Sequence, residues 1–126
     1  MKTYLAKGMK VGLGTDLAAG SSLSVFRAMA MAVQCFKLRW RLLDQSVAPL
    51  TAEEAFYLAT KGGGEFFGKV GSFEEGYEFD AVVLDDSAIR HPQELTVKER
   101  LERAIYLAGD QNTVAKFIGG KGIFRK

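Results

Sequence analysis

Lys10-Val-Gly-Leu-Gly-Thr-Asp16 is a short apolar run that contains two glycines and closes on a carboxylate. Such a pattern suits a buried strand that delivers its last residue into a loop. Just upstream, Tyr4–Lys7 followed by Gly8 predicts the final turn of a helix with a glycine stop. The chain is therefore expected to open inside a helix-to-strand connection. After a loop at Leu17–Ser21, the segment Ser22–Asp44 carries Phe26, Met29, Val33, Phe36, Trp40 and Leu43 three or four residues apart. This spacing predicts an amphipathic helix with one stripe facing the core. Ser22 or Ser24 can accept from the free amides of its first turn, and Lys37, Arg39 and Arg41 crowd its far end, where positive charge suits the helix dipole.

Beyond Pro49, Thr51-Ala-Glu-Glu54 forms a capping box that predicts a helix from Ala52 to about Thr60. Gly62–Gly64 is expected to interrupt it before a brief turn around Glu65–Phe67 that stops at Gly68. Gly76 marks a turn, Phe79–Asp85 predicts a strand, and Asp86–Leu95 predicts a surface loop. A second capping box, Thr96-Val-Lys-Glu99, opens a helix to about Leu107, with Leu101, Ile105 and Ala108 on one side. Thr113–Lys126 has the pattern of a hairpin turning at Gly119-Gly120.

With 126 residues, 48% hydrophobic and 25% charged, the composition is that of one soluble globular domain. The length supports one core and falls short of a complete (β/α)₈ barrel, which takes roughly 200 residues at minimum. Seventeen basic and 15 acidic residues are interspersed, a net of +2, so nothing points to nucleic acid or to a membrane surface. One cysteine, Cys35, excludes an intrachain disulfide and a Cys-rich zinc site, and one histidine, His91, excludes a His-based metal site built from this chain alone. The start of the chain lacks the apolar core of a secretory signal, and no apolar stretch is long enough to span a bilayer. A cytoplasmic location is the expectation.

Gly12-Leu-Gly14 invites comparison with a dinucleotide fingerprint, but the third glycine would fall at Leu17 and the next helix opens too late to meet a pyrophosphate. Asp16 has two readings. It is a turn-forming or helix-capping residue beside Ala18–Ser22, or it is a carboxylate presented for chemistry at the carboxyl end of a strand, where α/β folds place their ligands. Lys37-Leu-Arg-Trp-Arg41 is read as a solvated helix end with Trp40 on the apolar stripe, His91 as a surface loop residue, and Cys35 as a buried inert thiol. Met29 and Met31 are read as core or near-core residues.

Three segments together resemble the C-terminal end of the metal-dependent amidohydrolase superfamily, most closely its guanine-deaminase branch. Val11-Gly-Leu-Gly-Thr-Asp-Leu-Ala-Ala-Gly-Ser-Ser-Leu-Ser24 is similar to the last barrel strand and the loop after it. The stretch Leu50–Glu65, followed by Gly71–Val83, is similar to a part shared widely across the superfamily, and Tyr106–Lys121 resembles the closing helix and strand pair of guanine deaminases. Ala19, Gly64 and Val25 depart from the common pattern, where Gly, Ala and Met are usual.

The resemblance implies an α/β chain: the last strand and helix of a (β/α)₈ TIM barrel with following helices over residues 1–68, and strands of an accessory β-sandwich domain with an intervening helix over 69–126. It also implies zinc in the complete enzyme, conversion of guanine to xanthine and ammonia, and Asp16 as both metal ligand and catalytic proton carrier. The family's histidine ligands have no counterpart in this chain, and His91 matches none of them. An isolated chain is thus expected to be inactive and to hold no zinc, its partner being the missing N-terminal part of the enzyme. Two alternatives stand beside this reading: an amidohydrolase acting on another amino- or chloro-substituted heterocycle, and a non-catalytic assembly module that pairs with itself, since a homo-oligomer is expected.

Overall fold

Side-chain caps start three of the five helices. In the computed structural model, which describes all 126 residues, the Ser24 side chain accepts from the Arg27 amide at 3.4 Å and starts the longest helix. The helices are α1 (Lys2–Ala6), α2 (Val25–Leu42), α3 (Ala52–Ala59), α4 (Lys61–Gly64) and α5 (Val97–Leu107). The strands are β1 (Ala81–Leu84), β2 (Thr113–Ile118) and β3 (Lys121–Arg125). Both predicted capping boxes form. Thr51 Oγ1 accepts from the Glu54 amide while the Glu54 carboxylate accepts from the Thr51 amide at 2.8 Å, and Thr96 and Glu99 repeat the arrangement at α5.

The acidic groups at these helix starts are held below their ordinary carboxylate values. A hydrogen bond from Lys98 on α5, with lesser help from the start of α3, pulls Glu53 down to about 2. Burial pushes Glu54 up, but the bonds from Thr51 and Lys2 outweigh it and leave it lowered. The Thr96 hydroxyl and amide hold Glu99 down, and Arg100 does the same for Asp86. Stabilisation from such depressed groups is complete above their unfolded values, 4.5 for the glutamates and 3.8 for Asp86, and is lost as pH falls through the folded ones. The melting temperature of the chain should therefore decline on acidification from about pH 4.5 to pH 2; a melting temperature that rises over that interval in a calorimetric pH series would contradict these contacts.

One core joins three helices: Met29 and Val33 of α2, Leu50, Ala52, Ala55 and Leu58 at α3, and Ile105 of α5. The predicted stripe on α2 is buried only in its middle. Met29 and Val33 are covered and Phe26 and Phe36 partly so, whereas Trp40 lies at the margin and Leu43 is 81% exposed. At about 1.5 Å per residue, the 18 residues of α2 reach about 27 Å while the eight of α3 reach about 12 Å, so α2 outruns the helix it packs on. Met31, expected near the core, is half exposed, and Cys35, expected buried, is exposed. Each lies two residues from a buried one, which on a helix is more than half a turn away.

Two local expectations are corrected. The helical pattern breaks at Thr60, whose φ of −121° and ψ of −98° lie outside the helix, and not at Gly62–Gly64, which with Lys61 forms α4. The glycines serve close approach: a Cβ on Gly12 would stand 2.9 Å from Gly63 Cα, and one on Gly64 would overlap the Val70 carbonyl oxygen. Glu65–Phe67 continues as hydrogen-bonded turns, with Phe67 N donating to Gly64 O at 2.8 Å. Residues 10–16, expected as a strand, have no ladder partner in this chain. A strand exists through bonds to its neighbours, and here the backbone link is a single donation from Leu13 N to Leu58 O at 2.9 Å. Burial nonetheless alternates with period two, with Val11, Leu13 and Thr15 half-buried and Gly12, Gly14 and Asp16 exposed.

The sheet is antiparallel with order β1-β2-β3, Val83 opposite Ala115 and Ala115 opposite Arg125. Gly119 and Gly120 both take positive φ, as a two-residue hairpin turn requires. Buried Asn112 links sheet to helix: its Oδ1 accepts from Gly109 N at 3.0 Å and its Nδ2 donates to Asp85 O at 2.9 Å. No helix is long and apolar enough to cross a membrane.

The chain leaves much of itself uncovered. Its accessible surface is 9118 Å², against about 6,600 Å² for a folded monomer of 13.8 kDa. The surplus of about 2,500 Å² is rich in large apolar side chains, among them Leu17, Leu42, Leu43, Phe66 and Phe67. Phe66 and Phe67 are each more than four-fifths exposed.

Candidate functional site

Asp16 is the one non-glycine residue with positive φ, at 50°. Its carbonyl closes the loop after residues 10–16 by accepting from Ala19 N at 2.9 Å and from Gly20 N. Ser22 Oγ accepts from Ser24 N at 3.1 Å, and Ser24 in turn caps α2, so the loop is tied to the start of that helix. Aspartate tolerates the left-handed region better than most side chains, which suits it to this turn.

The Asp16 carboxylate makes no hydrogen bond or ion pair within the chain, although its carbonyl oxygen accepts two. Ser24, and not Asp16, does the capping. The carboxylate borders a cleft of about 270 Å³ whose other walls include Thr15, Ser22, Arg27, Met31 and Cys35. Arg27, Met31 and Cys35 recur every four residues, so they form one face of α2. Sequence reading singled out only the core stripe of that helix, although the same periodicity marks this second face.

The donor set decides what the chain can hold by itself. On this cleft, Asp16 and Cys35 are the only side chains of the His, Cys, Asp or Glu type, and no group of three such residues in the chain could hold a metal ion. Zinc in catalytic sites takes about three protein ligands, so this chain's own residues do not fit zinc. His91 lies elsewhere, in the exposed loop before α5, with Nδ1 at 3.2 Å from Gln93 N and 3.1 Å from Gln93 O. It lines a different cleft, with Glu99 and Tyr106. The basic run Lys37–Arg41 lies at the solvated end of α2, where Arg39 meets Asp44 at 3.4 Å.

Comparisons with known proteins bear on the chain as a whole. The chain belongs to the amidohydrolase family, whose family model matches residues 1–123. Within that family it is similar to guanine deaminases. The human guanine deaminase is 35% identical over 128 residues, covering 91% of this chain and 28% of the human protein. A crystal structure of the C. acetobutylicum guanine deaminase with guanine bound in its active site matches with a TM-score of 0.90 and 47% identity, covering 98% of this chain and 29% of that one. A 5-methylthioadenosine/S-adenosylhomocysteine deaminase from Bacillus cereus is 33% identical over 126 residues, covering 98% of this chain and 28% of the relative. The chain thus spans less than a third of the length of the proteins it matches.

Proposed function

We propose that this chain is the C-terminal part of a zinc-dependent aminohydrolase that converts guanine and water to xanthine and ammonia, and that it is inactive alone. The observation that carries the reading is 47% identity over nearly the whole chain to an enzyme with guanine in its active site. Residues 10–16 would be the last strand of a (β/α)₈ barrel, ending in Asp16. Residues 1–68 would close the barrel and residues 69–126 would supply strands of an accessory β domain. The alternating burial along residues 10–16 supports this, since a barrel strand turns one side to its helices and the other inward.

In this scheme zinc would supply the activated water, with Asp16 as one ligand and the others coming from the N-terminal part. Asp16 is the residue of this chain that the reading places at the reacting centre. Its carboxylate, free of internal partners, would take a proton from the attacking water and deliver it to the departing amine. The N-terminal part would cover the exposed apolar surface, whose surplus of about 2,500 Å² matches one side of a large obligate interface. A cytoplasmic location belongs to the same reading.

The B. cereus relative favours a second substrate class, a 6-amino purine nucleoside. Fusing this chain separately to the upstream parts of the C. acetobutylicum guanine deaminase and of the B. cereus relative, each in place of that enzyme's own matched segment, separates the two. The guanine deaminase fusion should keep its host's activity at least about 10-fold better than the B. cereus fusion keeps its own, because the chain packs on the host that it fits; the reverse order would assign the other substrate class. Self-assembly is the competing non-enzymatic reading, supported by the exposed apolar side chains and two open sheet edges. It predicts a dimer or larger species in sedimentation of the chain alone and no gain of activity in either fusion.

A further inference from the structure

We infer that Gly20 is a positioning residue for Asp16: the absence of a side chain at position 20 holds the Asp16 carboxylate in the direction the reaction needs. This rests on the reading of Asp16 as the proton-carrying group.

Gly20 stands four residues after Asp16, and its amide and that of Ala19 both donate to the Asp16 carbonyl. Its φ is not in the left-handed region, so the backbone conformation at position 20 does not itself call for glycine. Space does. A Cβ there would overlap the Thr15 carbonyl oxygen and come within 2.8 Å of the Asp16 carbonyl oxygen and 3.0 Å of the Thr15 carbonyl carbon. Every atom it meets is backbone of the peptide that enters and leaves Asp16, and none is the movable end of a flexible side chain.

Relief must come from rotating the Thr15–Asp16 peptide, because Ser22 and Ser24 tie the far side of the loop to α2. That rotation breaks the paired donation to the Asp16 carbonyl, moves Asp16 out of its positive φ and re-aims its carboxylate. Gly64 and Gly71 also abut carbonyl oxygens, but those of Val70 and Thr60, and four further glycines differ in kind. A Cβ on Gly8, Gly68, Gly119 or Gly120 meets nothing within 4 Å, and their positive φ values serve turns remote from Asp16.

The test uses the fusion with the C. acetobutylicum upstream part and three variants, Gly20→Ala, Asp16→Asn and Val33→Ala. Misaiming a reacting group by about 1 Å costs on the order of 10²-fold, so Gly20→Ala should lower kcat for guanine by about that factor with KM within about twofold. Val33→Ala, a core change that lowers the melting temperature, should leave kcat near wild type, which separates misplacement from general weakening. In parallel, nuclear magnetic resonance of the 126-residue chain should show the Asp16 backbone signals moved by Gly20→Ala while the Val33 and Ile105 methyl signals stay in place. Asp16→Asn inactive with Gly20→Ala at wild-type kcat would overturn this inference alone; unmoved Asp16 signals would overturn it also. A fully active Asp16→Asn would remove the reading beneath it and the inference together.

Discussion

Asp16→Asn should lower kcat for guanine by about 10³-fold in the fused enzyme, while the melting temperature should stay within about 2 °C of wild type. Moving a proton through a positioned side chain contributes typically about 10² to 10⁴ in rate, and an amide can neither take nor release that proton. Asparagine has nearly the same shape and is, like aspartate, at ease with positive φ, so the loop keeps its conformation. No internal hydrogen bond or ion pair of the carboxylate is lost, because none exists. The split between a large kinetic effect and a negligible thermal one is what distinguishes a chemical group from a turn former. A kcat within threefold of wild type would return Asp16 to the turn-forming reading.

Leu58→Ala should have the largest effect on stability. Leu58 is fully buried in the cluster of Met29, Val33, Leu50, Ala55 and Ile105, and its carbonyl receives the one backbone bond that holds the segment before Asp16. Truncating a buried leucine costs about 2–5 kcal/mol, a large share of the roughly 5–15 kcal/mol that separates a folded domain from its unfolded state. With only ten residues buried in the chain, little else compensates. Circular dichroism should show the melting temperature falling by about 10–20 °C or the cooperative transition vanishing; a fall under about 3 °C would show that the cluster is not what holds the helices together.

The helices and the hairpin were legible in the sequence because their signals are local. Thr51–Glu54 and Thr96–Glu99 name two helix starts, Ser22 or Ser24 marks a third that the structure caps with Ser24, and Gly119-Gly120 names the hairpin turn, without reference to the rest of the chain. What was not legible depended on neighbours. Residues 10–16 have the composition of a strand but no ladder partner here, and α4 incorporates Gly62–Gly64 because the backbone near Gly12 comes close to it. The outer end of the α2 stripe, Trp40 and Leu43, reads as core on spacing yet lies beyond the reach of α3. Cys35 and Met31 belong to a second face of the same helix, the one that borders the cleft at Asp16. The candidate carboxylate itself was visible as the polar end of an apolar run. The fit that holds it, a missing Cβ at Gly20, involves carbonyl oxygens four and five residues away and leaves no trace in composition or periodicity.

The most direct test is xanthine formation from guanine by three zinc-loaded samples: the 126-residue chain, the upstream part of the C. acetobutylicum enzyme, and the fusion of the two. Neither piece alone should turn over guanine above background, and the fusion should. Xanthine produced by the isolated chain, or none produced by a folded, metal-loaded fusion, would contradict it.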